Sequence, residues 1–122
     1  MESIRDRARE VCLELPQAVE EYPFGEETAV FKVRGKMFAA IRMNQSPTAI
    51  TLKAAPPHCE ALVHEYAEIT PGYHMNKRHW VTIQLIDSVP ALLVEDLIAN
   101  SYDRVLDTLP KTKGAPQQPD AF

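Results

Sequence analysis

Three short alternating runs, Thr28 to Val33, Met37 to Met43 and Thr48 to Lys53, follow one another with only Arg34-Gly35-Lys36 and Asn44-Gln45-Ser46-Pro47 between them. Links this short join antiparallel strands, because a parallel crossover needs a dozen or more residues. The middle of the chain is thereby committed to an antiparallel meander. Helical spacing brackets it. Ile4, Ala8, Val11, Cys12 and Leu15 predict a first helix from Ser3 to Leu15, stopped by Pro16. Glu20 to Glu27 reads as an irregular connector. Pro56-Pro57 opens a second helix with Cys59, Leu62, Val63 and Tyr66 on one stripe. His79 to Leu85 alternates as a fourth strand. Ser88 is the expected cap of a last helix with Pro90 in its first turn. Its buried face is predicted as Leu93, Val94, Leu97, Ile98, Ser101, Val105 and Leu109. The order α-β-β-β-α-β-α predicts an α+β fold, an open antiparallel sheet with helices packed on one face.

At 122 residues the chain is expected to make one domain over residues 1–110. Lys111 to Phe122 carries Gly114, Pro116 and Pro119 without periodicity and reads as a flexible C-terminal tail. No apolar run approaches the ~20 residues of a membrane span. The charged start Met1-Glu2-Ser3-Ile4-Arg5-Asp6 does not read as a signal peptide. A soluble, cytoplasmic monomer is expected. Cys12 and Cys59 lie far apart in helical segments and are expected as small buried apolar groups.

The net charge of −4 argues against nucleic acid until its distribution is considered. No acid falls between Thr28 and Lys53, while Lys32, Arg34, Lys36, Arg42 and Lys53 all do. Screening confines their field to about 8–10 Å, so a basic surface survives on an acidic protein. A three-residue hairpin loop around Gly35 would put Phe31, Val33, Met37, Ala39 and Ile41 on the core face. Lys32, Arg34, Phe38, Arg42, Thr51, Lys53, Trp80, Thr82 and Gln84 would then share the opposite face. Cations interleaved with two aromatics suit nucleic acid, since cations neutralise phosphates and rings stack on bases. Register carries this argument, because a one-residue slip exchanges the faces. The alternative is a solvated surface in which lysine and arginine stems cover the rings.

Pro71-Gly72-Tyr73-His74-Met75-Asn76-Lys77-Arg78-His79-Trp80 holds two of the four histidines and the single tryptophan. Pro-Gly marks it as a loop, where functional groups gather. Tyr73, His74, Asn76 and Lys77 could hold a small anion or a protein partner. No Ser, Cys, Asp or Glu stands in this run to make a nucleophile or an orienting acid, so no catalytic residue is assigned. His58 and His64 lie six residues apart and share no helix face, so no metal or other cofactor is expected.

These segments are familiar together. Tyr22-Pro23-Phe24-Gly25, Val30-Phe31-Lys32-Val33-x-Gly35-Lys36-Met37-Phe38-Ala39, Leu52-Lys53, the Pro71 to Thr82 run and Ser101-Tyr102-Asp103 resemble the MmcQ/YjbR family of small bacterial proteins. The resemblance spans residues 3–111. It implies an α+β fold similar to the CyaY-like (frataxin-like) one and to the double-wing DNA-binding domain, whose saddle-shaped sheet faces DNA. It therefore implies a non-enzymatic, DNA-binding role. On that reading Lys32, Arg34, Lys36, Arg42, Lys53, Lys77 and Arg78 contact phosphates, and Phe38 and Trp80 stack or wedge. The alternative is a protein-interaction or small-anion-binding module centred on Tyr73, His74, Asn76 and Lys77. Frataxins carry an acidic iron-binding ridge on their first helix. Here Glu2, Asp6, Glu10 and Glu14 share a face, but Arg5, Arg7 and Arg9 interleave them and are expected to neutralise it.

Overall fold

The computed structural model describes residues 4–43, 47–72 and 78–109. Helix α1 (Ile4–Glu14) leads into strand β1 (Ala18–Glu21), then β2 (Thr28–Val33), β3 (Lys36–Arg42) and β4 (Ala49–Lys53). Helix α2 (Pro56–Glu65), strands β5 (Ile69–Pro71) and β6 (Trp80–Gln84) and helix α3 (Ala91–Thr108) follow. The architecture is α+β. All six strands form one antiparallel sheet in the order β1-β2-β3-β4-β6-β5.

Two strands were not expected from the sequence. β1 follows the Pro16 stop and takes in Glu20 and Glu21, the first two residues of the expected connector, and β5 immediately precedes Gly72. At four and three residues they are too short to show a period of two. They exist because β2 and β6 offer them ladder partners. The tail from Lys111 lies outside the described residues.

The core is the space between one sheet face and the helices. Phe31, Val33, Ile41, Ile50, Leu52, Ile69, Val81 and Ile83 meet Val11, Cys12, Leu62, Val94, Ile98 and Val105 there. Apolar burial of this kind contributes about 25 cal/mol per Å². Both cysteines are buried and unbridged. Tyr102, absent from the expected face of α3, is buried as well. Its hydroxyl escapes the core by donating to Pro16 O at 2.6 Å. Ser88 does not cap α3. Its hydroxyl donates to Glu68 Oε2 at 2.7 Å, and Pro90 holds the cap position without a side-chain hydrogen bond.

The hairpin corrects the expected placement of Phe38. Arg34 (φ 52°) and Gly35 (φ 84°) both have positive φ, the signature of a two-residue type I′ turn. Val33 therefore faces Lys36, and Lys32 faces Met37. That register would expose Ala39 and Ile41, so the ladder shifts between Phe31 and Lys32, where Phe31 pairs with Ala39. Phe38 is the extra residue of the resulting bulge. It is fully buried, with its ring edge-on to Tyr102 at 5.3 Å between centroids. Met37 moves in the other direction, to the outer face beside Lys32.

Candidate functional site

No helix lies over the second face of the sheet among the described residues. Register arranges its side chains in transverse rows. The middle row runs Glu21, Val30, Ala40, Thr51, Thr82, Thr70 across all six strands. Its central members are short and sunken: Val30 is 1% exposed and Thr51 is 7% exposed. The hydroxyls of Thr51 and Thr82 hydrogen-bond each other at 3.0 Å. One flanking row carries Thr28, Arg42, Ala49 and Gln84. The other carries Val19, Lys32 and Met37 toward one edge and Lys53 and Trp80 toward the other. The face is thus a trough of small side chains, ~24 Å long across the strands. Arg42 walls one side, and Lys32 and Lys53 wall the other, ~13 Å away along the strands.

Fixed backbone contacts position the wall at Lys53 and Trp80. Ser101 of α3 is fully buried. Its hydroxyl donates to Phe38 O at 2.6 Å and accepts from Lys53 N at 2.8 Å, tying the β3 bulge to the end of β4. Lys53 pairs across the ladder with Trp80, and its Nζ stands 5.8 Å from the centroid of the indole ring. That is a cation–π distance. On the far side Gly72 N donates to Trp80 O at 2.8 Å. A Cβ at Gly72 would lie 2.7 Å from Trp80 Cβ, so only glycine permits this approach.

β1 also changes the electrostatics. Glu21 is the only carboxylate among the strand residues of this face, and it binds Lys32 Nζ at 3.0 Å. The acid-free stretch of sequence therefore does not give an acid-free surface. The expected set divides as follows. Lys32, Arg42, Lys53 and Trp80 share the trough. Arg34 is an exposed turn residue, and Lys36 sits opposite Val33 at the hairpin tip. Phe38 is excluded by burial. Arg78 is exposed beside α2 rather than on a strand. Tyr73, His74, Asn76 and Lys77 lie outside the described residues. Thr51 and Thr82 lie on the face that alternation gave them, whereas Ser101 and Glu21 were not assigned to it from sequence. A threonine-rich outer face was legible from alternation, but Glu21 and Ser101 reach the site only through tertiary pairing.

Of the expected α1 acids, Asp6 pairs with Arg5, Glu10 and Glu14 pair with Arg7, and Glu2 lies outside the described residues. Arg7 binds Glu10, Glu14 and Glu95 at 3.3, 4.0 and 3.1 Å, and Arg9 binds Glu20 at 2.7 Å. Among the described residues no three His, Cys, Asp or Glu side chains gather to hold a metal ion. No helix of the described residues is long and apolar enough to cross a membrane.

A family model described as YjbR matches residues 13–104. The uncharacterized protein YbdF of Escherichia coli O157:H7 is 36% identical over 110 residues, 90% of each chain. The uncharacterized protein YjbR of E. coli K12 is 28% identical, covering 84% of this chain and 86% of its own. The crystal structure of Deinococcus radiodurans DR2400, of family domain DUF419, superimposes with a TM-score of 0.81 at 41% identity. It covers 88% of this chain and 81% of its own. A Pseudomonas syringae protein shares the fold, with a TM-score of 0.71 at 24% identity, over 82% of this chain and 97% of its own.

Proposed function

This chain belongs to the YjbR family, and we propose that its open sheet face is a DNA-binding surface without catalytic activity of its own. The observation that carries this reading is the trough: a floor of small residues walled on both sides by Arg42, Lys32 and Lys53, with Trp80 at one end. Phosphates on a strand lying along it meet cations from either side. Trp80 is half-buried and presents a ring for base contact. The double-wing resemblance supports the same use of the sheet. With Phe38 removed from the face, affinity rests on charge more than on stacking. Three wall cations, one of them bound to Glu21, predict a slope of log K against log salt of about −2.

The test is a fluorescence titration of Trp80, the single tryptophan, with duplex and single-stranded oligonucleotides at low and physiological salt. Saturable quenching that weakens with the predicted slope, and that Arg42→Glu removes, is the expected result. Arg42 lies across the trough from Trp80, so its loss reports on binding rather than on the indole. No change with either oligonucleotide at low salt removes the reading.

A further inference from the structure

The two edges of the sheet differ. β5 is three residues long and ends at Pro71, which has no N–H to offer. β1 contains no proline, and the direction of its backbone groups follows from the ladder beside it. Met43 N donates to Glu27 O at 2.6 Å, so Glu27, Ala29 and Phe31 turn their backbone groups toward β3. Val30 and Lys32 turn theirs toward β1, where they meet Glu21 and Val19. Ala18 and Glu20 therefore face outward. The Ala18 N–H is taken by Leu15 O at 3.1 Å. The carbonyls of Ala18 and Glu20 and the Glu20 N–H have no ladder partner among the described residues.

The side chains along this edge share a character. Val19, Tyr22 and Phe24 are 48, 45 and 73% exposed, three large apolar groups within one short segment. One such residue is ordinary, but several beside an open strand mark an interaction surface. Tyr22 is held in place by its hydroxyl, which donates to Glu20 Oε2 at 2.7 Å. Phe24 stands at the tip of a turn that Pro23 enters and that Gly25 N closes on Tyr22 O at 3.4 Å. Charge here is one-sided. No cation falls between Arg9 and Lys32, while Glu10, Glu14, Glu20, Glu21, Glu26 and Glu27 all do. The first four are ion-paired to Arg7, Arg9 and Lys32. Glu26 and Glu27 follow the Phe24 turn and are exposed.

We propose that the β1 edge docks an extended, basic segment of a partner protein, which adds a seventh strand to the sheet. Main-chain hydrogen bonds form at Ala18 and Glu20. Lysine or arginine side chains of the segment reach Glu26, Glu27 and the ring faces of Tyr22 and Phe24. The same acids disfavour a second copy of this chain, which would bring an identical cation-free run to the edge. This edge works without the trough, whose Arg42, Lys53 and Trp80 stand on other strands.

The test is an amide-resolved NMR titration of the whole chain with a capped octapeptide of alternating lysine and valine. An alternating glutamate–valine octapeptide and the lysine–valine peptide with every amide N-methylated are the controls. Saturable shifts at Ala18, Val19, Glu20, Tyr22 and Phe24, with slowed exchange of the Glu20 amide, are expected for the first peptide and for neither control. Glu20→Pro removes the outward N–H and should weaken binding roughly tenfold. Should that variant misfold, Phe24→Ala combined with Glu26→Lys, both at exposed positions, should weaken it as much. No shift at low salt, or equal shifts with the N-methylated peptide, would overturn the proposal. So would shifts confined to Arg42, Lys53 and Trp80, or unchanged affinity in either folded variant. A peptide-free dimer that protects the Glu20 amide would overturn it as well, by making a second copy the occupant.

Discussion

Ser101 serves two strands with one hydroxyl. It donates a hydrogen bond to the Phe38 carbonyl and accepts one from the Lys53 amide. Ser101→Ala leaves both backbone groups buried without partners, and a loss of about 2–4 kcal/mol is expected in urea unfolding. The Lys53–Trp80 contact should loosen with it, visible as a change in indole emission. Glu20 gives a residue-scale prediction for pH. Its hydrogen bond from Arg9 holds the carboxyl below its ordinary value. A depressed carboxylate contributes stability above its unfolded pKa of ~4.3 and loses it as pH falls through the folded value. Glu20→Gln should therefore flatten the acid limb of the stability profile. Cys12 works at the other end. Burial pushes its thiol up to about 12. Its contribution is complete below the unfolded ~8.5 and is lost as pH rises toward the folded value. Cys12→Ala should flatten the alkaline limb, as read by denaturation at stepped pH.

At the scale of elements, the β2–β3 hairpin decides which aromatic reaches which face. Its two-residue turn sets Lys32 against Met37, and the bulge then restores the inward parity of Ala39 and Ile41. Gly35 holds φ 84° with open space around its Cα, so the cost of a side chain there is conformational alone. Gly35→Ala is expected to destabilise by about 1 kcal/mol without rearranging the core, measurable as a shifted urea midpoint. β1 acts on function through one residue. By pairing beside β2 it brings Glu21 to Lys32 and cancels part of the wall charge. Glu21→Gln should strengthen oligonucleotide binding at low salt and steepen the salt slope by up to about 1, since it returns one cation to the face. An unchanged slope would mean that Lys32 takes no part in binding.

At the scale of the whole molecule, helices and trough divide the charge. Residues 1–27 carry three cations and eight acids, and residues 28–84 carry seven cations and three acids. Within α1, Asp6 pairs with Arg5, and Glu10 and Glu14 with Arg7, while Arg7 to Glu95 and Arg9 to Glu20 fasten α1 to α3 and β1. Much of this was legible beforehand. The helical spacing of Ala8, Val11 and Cys12, the alternation through Ile50 and Leu52, and the short links between strands determined three helices, the meander and the inner face apart from Met37 and Phe38, because periodicity reports which side of an element avoids water. The chain also announced Lys32, Arg42, Lys53 and Trp80 as neighbours on one face. Tertiary structure alone decided the rest. A φ sign at Arg34 and a bulge at Phe38 are local choices made to keep Ala39 and Ile41 dry, and no period of two encodes them. β1 and β5 are strands only because a neighbour supplies their hydrogen bonds. Glu21 beside Lys32 and Ser101 beneath Lys53 are contacts between distant segments, fixed by how helices and sheet pack rather than by any spacing along the chain.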